Sequence, residues 1–461
     1  MERVGVLVVS YGSRGAAMVD ALSQSLKYSA DLYVADRYRN PFNIKRSKEH
    51  AVIPDLNVEN ICSFAKQHVN SIDFVIVGPE APIIGGIRDI LEKETGIPVI
   101  CPTKKYALER SKIAQRLLFQ EIVPEVNPKF KVFTPEEYSG LANLKKDLWL
   151  WLDELNNQVA VKPDGISAGK GVGIWGDHFS DRNQLLEHFL SNYKYGPVIV
   201  EEKLIGEESS FQAFCDGRHI VPLPETRDNK RAFDEDKGPN TGGMGSYKDV
   251  GNLLPFMNQK DWENEVSVAN KLFKKLRGRG TNPELRGVPF YLAFMHTREG
   301  LKILENNSRP GDPEIQNLLP ILKDDFIDVC FKIIEGNLKK VEFEPKATVV
   351  TYKVPPTYGG KIKEFSGNDR VDLSQAYNLV REYGDRMKVY PGALELRNGE
   401  SYALKSRTVC VVGIADNLES AREISLKGID AIKGGSLWCR RDIASSENIE
   451  KSITHMQRLR N

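Results

Sequence analysis

Three groups of residues in this chain have the types and spacing to handle a polyphosphate. Lys162 closes an apolar strand read over 158–162, and the loop Ala168-Gly169-Lys170-Gly171 follows it. Two lysines and the free N–H groups of a glycine loop neutralise phosphate charge without rigid geometry. The spacing is not that of the Walker loop, GxxxxGK[ST]. Further on, Glu305 and Asn307 alternate on a predicted strand, so both side chains face one side. A carboxylate and an amide oxygen suit Mg²⁺, which takes few protein ligands and completes its shell with phosphates and water. Arg309 and Asp312 stand just beyond, and the guanidinium can grip a carboxylate or phosphate in a fork. The third group is the strand 198–203, which ends in Glu201 and Glu202, with Glu207 and Glu208 after a turn. Such a strand can offer backbone groups and a carboxylate to an adenine and a ribose. Each group also has a structural reading: an exposed turn, a solvated edge strand, and an Arg309–Asp312 ion pair.

Residues 228–245, Asp-Asn-Lys-Arg-Ala-Phe-Asp-Glu-Asp-Lys-Gly-Pro-Asn-Thr-Gly-Gly-Met-Gly, hold only Ala232, Phe233 and Met244 as apolar side chains. Charge fills the first half and glycine the second. The segment reads as a loop, too polar to bury and too glycine-rich to be regular, of the kind that serves a site.

Four units must position these residues. Over residues 1–122, strands at 4–9, 31–35, 73–77 and 98–100 alternate with helices at 58–69 and 83–94. This pattern predicts a parallel sheet with its ligands at the carboxyl ends of the strands. The loops Ser10–Gly15 and Gly78–Pro82 leave from such ends. Residues 123–196 read as a small α+β unit carrying the lysine loop. Residues 197–337 begin with an expected antiparallel meander (198–203, 209–214, 219–223) and end on the acid–amide strand. Residues 338–461 form a last α+β unit. The fold class is therefore α/β, with an N-terminal parallel-sheet domain, a two-lobed α+β domain and a small C-terminal α+β domain.

The 461 residues carry 64 Lys+Arg against 63 Asp+Glu, a net charge of +1. That balance leaves no electrostatic footprint for nucleic acid or an anionic membrane. No apolar run reaches the ~20 residues of a membrane span. The six cysteines form no CxxC pair, which fits a reducing cytoplasm, and no histidines sit at metal-ligand spacing.

Taken together the motifs resemble ATP-grasp ligases, and among them the glycinamide ribonucleotide synthetase family. The resemblance rests on Val77–Pro82, Ser111-Lys112, Lys162–Gly165, Ala168–Val172, Glu201-Glu202, Gly206–Glu208, Asp228–Arg231, Gly238–Gly245 and Arg309–Glu314. The run Gly238-Pro-Asn-Thr-Gly-Gly-Met-Gly245 is the most specific of these. The resemblance implies that ATP, with Mg²⁺ or Mn²⁺, activates glycine as an acyl phosphate, which the amine of 5-phosphoribosylamine then attacks. It implies that Lys112, Lys162, Gly169, Lys170 and Gly171 hold the phosphates, with Lys170 on a lid. Glu201, Leu204 and Glu208 flank the nucleoside, and Glu305 and Asn307 hold the metal. Asp228, Lys230, Arg309 and Asp312 surround the glycine and the developing charge. Gly12, Ser13, Arg14, Glu80, Ala81 and Pro82, with Asn240, Thr241 and Gly242, bind the acceptor. The implied partners are small molecules, not nucleic acid or membrane, for a monomer or weak homodimer. The chain departs from the family in its first loop (Gly12-Ser-Arg-Gly-Ala16), at Asn229 and Pro310, and in the last domain at Tyr352–Pro356 and Lys405–Arg407. These departures fall on the acceptor side. Two other readings therefore stay open: an ATP-grasp amide ligase with a different amine, and an ATP-binding relative without turnover.

Overall fold

The computed structural model describes residues 1–165, 171–361 and 369–461. The chain opens with a five-stranded parallel sheet. Its order is Glu49–Val52, Tyr28–Asp36, Glu2–Val9, Phe74–Val77, Val99–Ile100. The central strand is buried from Val4 onward, the signature of a sheet covered on both faces. Strand order reverses on either side of Glu2–Val9, so the crevice opens at its carboxyl end. The helix Gly12–Ser23 and the short helix Glu80–Ile84 both begin there. The helix expected over 83–94 is two helices, because Gly86 adopts φ 83° and starts a second one at Ile87.

The next unit is an antiparallel sheet in the order Phe130–Phe133, Val198–Glu202, Val159–Pro163, Gly173–Ile174. The helices Leu141–Glu154 and Arg182–Tyr193 bury Leu144, Leu148, Leu152, Leu185 and Phe189 against it. A second antiparallel sheet runs Ile220–Pro222, Gly206–Cys215, Gly287–Thr297, Gly300–Asn307. The expected meander is therefore corrected. Its first strand belongs to one sheet and the next two to another, and the chain crosses between them at residues 203–205. A meander needs adjacent strands to share a sheet, and the turn after Glu202 instead hands the chain from one lobe to the other.

The polar segment 228–245 is also more regular than its composition predicts. Arg231–Phe233 pairs with Lys237–Asn240 in a hairpin, and Arg227–Asp228 pairs with Gly245–Lys248. Backbone hydrogen bonds, not apolar burial, order it. Gly245 could not be another residue: a Cβ there would stand 2.2 Å from the carbonyl oxygen of Val350. Gly245–Lys248 in turn joins a sheet with Ala347–Lys353, Val409–Ala415 and Met387–Pro391. This sheet takes strands from both sides of position 337, and through it the last unit reaches the site. No helix among the described residues is long and apolar enough to cross a membrane.

Candidate active site

The centre of the site is the end of the strand Gly300–Asn307. Asn307 Nδ2 lies 3.4 Å from Glu305 Oε1, so the two polar side chains share one face. Burial alone would raise the Glu305 carboxyl. Lys230, Lys162 and Lys112 outweigh it and hold the group below its ordinary value. The three lysines come from three segments. Lys112 is the first residue of the helix Lys112–Ile122, which Ser111 caps by accepting from Ala114 N. Lys162 is the penultimate residue of the strand Val159–Pro163 in the small lobe, and Lys230 leads into the polar hairpin. Burial pushes the Lys112 ammonium down. Lys230 is driven up: burial opposes its charge, but Glu208, Glu305 and Asp228 more than compensate.

Around this centre the other expected residues take up definite partners. The Glu201 carboxylate is 2% exposed and fully engaged: Arg116 Nε and Nη2 donate to it at 2.7 and 2.9 Å, and Lys162 Nζ at 2.6 Å. These cations hold it at about 2 despite burial. The Glu201 side chain is thus taken up by these cations, and Leu204 follows it in the crossing segment. Glu208 accepts from Lys230 Nζ at 3.2 Å. Burial, with Glu314 nearby, lifts Asp228 well above the carboxylate range. Its Oδ1 is buried without a hydrogen-bond partner, pressed against the 242–243 turn. Arg309 lies between two acids, 3.6 Å from Glu80 and 3.4 Å from Glu109. Asp312 accepts from Tyr352 Oη at 2.9 Å, Gln316 Nε2 at 2.8 Å and Arg407 Nη2 at 2.8 Å. Arg407 also donates to the Gly242 carbonyl, and Tyr358 Oη accepts from Gly242 N at 2.9 Å. Thr241 caps the same turn, its Oγ1 donating to Lys230 O at 2.8 Å, and Asn240 pairs with Arg231 in the hairpin.

In the first domain Ser13 Oγ donates to Tyr390 O at 2.9 Å and Arg14 Nη1 to Pro310 O at 2.9 Å. Both side chains are buried and tie this domain to the other two. What the loop presents to a ligand is the backbone around Gly12 (φ 71°) at the start of the helix, an arrangement that favours anions. Glu80 opens its own helix, with Ala81 exposed and Pro82 buried beside it. Gly171 is held from the helix Arg182–Tyr193, where His188 Nε2 meets its carbonyl at 2.9 Å. Gly169 and Lys170 lie outside the described residues.

Five residues that build this site were not assigned a role from the sequence: Arg116, Glu109, Arg407, Tyr352 and Tyr358. Arg116 had a local signal, a cation one helical turn after Lys112 on a face that also carries Phe119. Tyr352 and Arg407 fall in the two last-domain elements noted as departures from the family, a signal that marked the segments without giving their partners, and Tyr358 had none.

Glu109 gives a pH test. Burial pushes its carboxyl up to about 7, against the pull of Arg309, from about 4.3 in an unfolded chain. The folded state thus holds the proton more tightly. The resulting stability is full below about pH 4.3 and is lost as pH rises through about 7, a swing on the order of 3 kcal/mol. Glu109→Gln is expected to flatten this part of the profile. The check is the thermal midpoint of both proteins from pH 5 to 8; parallel curves would refute the assignment.

A two-lobed cleft with lysines converging from both lobes on an acid–amide strand is the ATP-grasp arrangement, and the chain is an ATP-dependent ligase of that class. It belongs to the phosphoribosylamine–glycine ligase family. It is 36% identical over 458 residues to the phosphoribosylamine–glycine ligase of Methanocella arvoryzae, covering 99% of each chain. It is 37% identical to that of Methanobrevibacter smithii, over 99% of this chain and 100% of the other. Residues 4–109 match the phosphoribosylglycinamide synthetase N domain and residues 125–315 its ATP-grasp (A) domain. Among solved structures, the phosphoribosylamine–glycine ligase of Thermotoga maritima superposes with a TM-score of 0.73 at 21% identity, covering 95% of this chain and 100% of that one. The biotin carboxylase domain of the Hydrogenobacter thermophilus 2-oxoglutarate carboxylase, solved with MgADP and bicarbonate, reaches 0.67 at 15% identity, covering 98% and 93%.

Proposed function

We propose that this chain joins glycine to 5-phosphoribosylamine at the expense of ATP, giving glycinamide ribonucleotide, ADP and phosphate. The observation that carries the reading is full-length identity of about one third to phosphoribosylamine–glycine ligases, on a chain whose three lysines meet at Glu305.

Lys112 and Lys162 would bind the β- and γ-phosphates, together with the loop that contains Gly169, Lys170 and Gly171. Glu208 and the backbone near Leu204 would hold the nucleoside. Glu305 and Asn307 fit a divalent cation, Mg²⁺ or Mn²⁺, by their oxygen donors and common face. No cluster of three or more His, Cys, Asp or Glu ligands exists among the described residues, which suits a cation whose remaining ligands are phosphate oxygens and water. When bound, such a cation neutralises charge developing on the transferred phosphoryl group. The protein's own part is positioning. The buried, unpartnered Asp228 Oδ1 would accept from the ammonium of glycine, whose charge would draw the raised carboxyl back to its ionised form, and Arg309 suits the carboxylate that becomes the acyl phosphate. Arg407 and Tyr352 fix Asp312 and, through Gly242, the neighbouring turn. The acceptor would enter from the first domain, its phosphate on the backbone at Gly12 and its ribose toward Glu80. Burial of the reacting groups would keep water from the acyl phosphate.

The test is release of ADP and phosphate with each amine and amino acid supplied in turn. Turnover is expected only with glycine and phosphoribosylamine together. ADP release with a different amine, and none with phosphoribosylamine, would overturn the acceptor.

A further inference from the structure

Two carboxyl groups are buried together behind the strand that carries Glu208. Strand alternation turns its neighbour Ser209 away from the active site, toward the helix Gln259–Arg277, which brings Glu265 inward. Glu225, three residues before Asp228, completes the group. Both glutamates are 0% exposed. Glu265 Oε1 accepts from Ser209 Oγ at 2.6 Å and meets His296 Nε2 at 2.9 Å. Ser209 Oγ and His296 Nε2 also touch each other, at 2.9 Å. The other three oxygens, Glu265 Oε2 and both of Glu225, are buried and find no donor among the described residues. What they meet is each other, carboxyl to carboxyl, at hydrogen-bonding contact.

The surrounding charges are engaged elsewhere. His296 Nδ1 stands 3.9 Å from Asp261 of the same helix, which Arg460 of the helix Ser446–Arg460 also holds. Glu207, on the strand with Ser209, is held by Arg227 and by His455 Nδ1 at 2.6 Å. No grouping of three or more His, Cys, Asp or Glu among the described residues has the geometry of a metal site. Two carboxylates in contact, without a donor between them, cannot both stay ionised. One hydrogen on Glu225, donated to Glu265 Oε2, removes the repulsion and gives that oxygen its partner. Burial and the Glu265 charge accordingly lift the Glu225 carboxyl well above its ordinary value.

We propose that Glu225 and Glu265 share one proton, and that this bridge is a pH-sensitive brace fastening the helix Gln259–Arg277 to the segment that leads into Asp228. Neither glutamate belongs to the proposed catalytic machinery, and failure of the brace would leave the ligase reading untouched. Between about pH 4.3, where an unfolded glutamate titrates, and the raised folded value, the native pair holds a proton that the unfolded chain has released. The stability from the bridge is therefore full below about pH 4.3 and declines as pH rises to the folded value.

The test is infrared spectroscopy and urea unfolding of the full chain and of Glu225→Gln. Glutamine has the shape of the protonated acid and donates in its place, so the variant is expected to fold. The variant-minus-wild-type spectrum at pH 7 is expected to show the loss of one protonated-carboxyl band, the contributions of Glu109 and Asp228 cancelling in the subtraction. Relative to the variant, the wild-type unfolding constant is expected to rise about tenfold per pH unit from pH 5 to 7. Identical spectra, a ratio of unfolding constants that does not change with pH, a Glu225→Gln chain that fails to fold, or a stoichiometric divalent metal in the purified protein would each overturn the proposal.

Discussion

Glu305→Ala is expected to leave the fold intact and to slow ADP release by about 10²–10³-fold, on the order of 3–4 kcal/mol of transition-state stabilisation. The side chain carries little of the core's weight. It is half-buried near the end of its strand, and among the described residues its side chain is hydrogen-bonded only by the long contact from Asn307. What it supplies is negative charge where Lys112, Lys162 and Lys230 converge. Alanine would remove a negative charge that all three lysines feel, beside the Glu201 and Glu208 partners of Lys162 and Lys230, and leave a bound cation with one protein ligand fewer. Added Mg²⁺ is expected to restore part of the rate by mass action. Circular dichroism and the unfolding midpoint should match wild type while steady-state turnover falls. Near-normal turnover at ordinary Mg²⁺ would remove Glu305 from the proposed metal role.

Arg116→Ala is expected to have the larger effect on stability, a loss of about 3–5 kcal/mol. Arg116 is 2% exposed and binds both oxygens of Glu201. It also donates to the carbonyls of Ile303 at 2.9 Å and Leu304 at 2.6 Å. One guanidinium thus ties the small-lobe strand that carries Glu201 to the strand that carries Glu305. Removing it leaves a buried carboxylate with Lys162 as its remaining hydrogen-bonded cation among the described residues, Lys112 acting from farther off, and takes the Arg116 donor from two carbonyls. Arg116→Lys keeps the charge and loses the fork, so it should recover only part of the loss. Urea unfolding followed by tryptophan fluorescence gives the energy. The functional readout is KM for ATP, which should rise because Lys162, already 2.6 Å from Glu201, is left to neutralise more of its charge. An unfolding midpoint unchanged in Arg116→Ala would show that the brace carries no energy.

Local chemistry was readable where it depends on neighbours in the chain. Glu305 and Asn307 share a face because a strand repeats every second residue, a rule that holds whatever surrounds it. The central strand, read over 4–9 and observed over Glu2–Val9, follows from an unbroken apolar run. The polar segment 228–245 misled because composition reports on side-chain burial, whereas backbone pairing and close glycine contacts order this stretch. The meander over 198–223 misled because hydrophobic alternation marks a strand without saying which sheet receives it.

The sequence by itself determined the α/β class, the strand that carries the acid–amide couple and the lysines that could meet phosphate, since each follows from short-range periodicity and side-chain chemistry. Only the tertiary structure decided that Glu201 serves Arg116 and Lys162, that Arg309 stands between Glu80 and Glu109, and that Arg407 and Tyr352 reach Asp312 from the last unit. Those pairings join residues 39 to 229 positions apart. The free energy of such contacts depends on burial and on which charges share a low-dielectric space, and folding alone sets both.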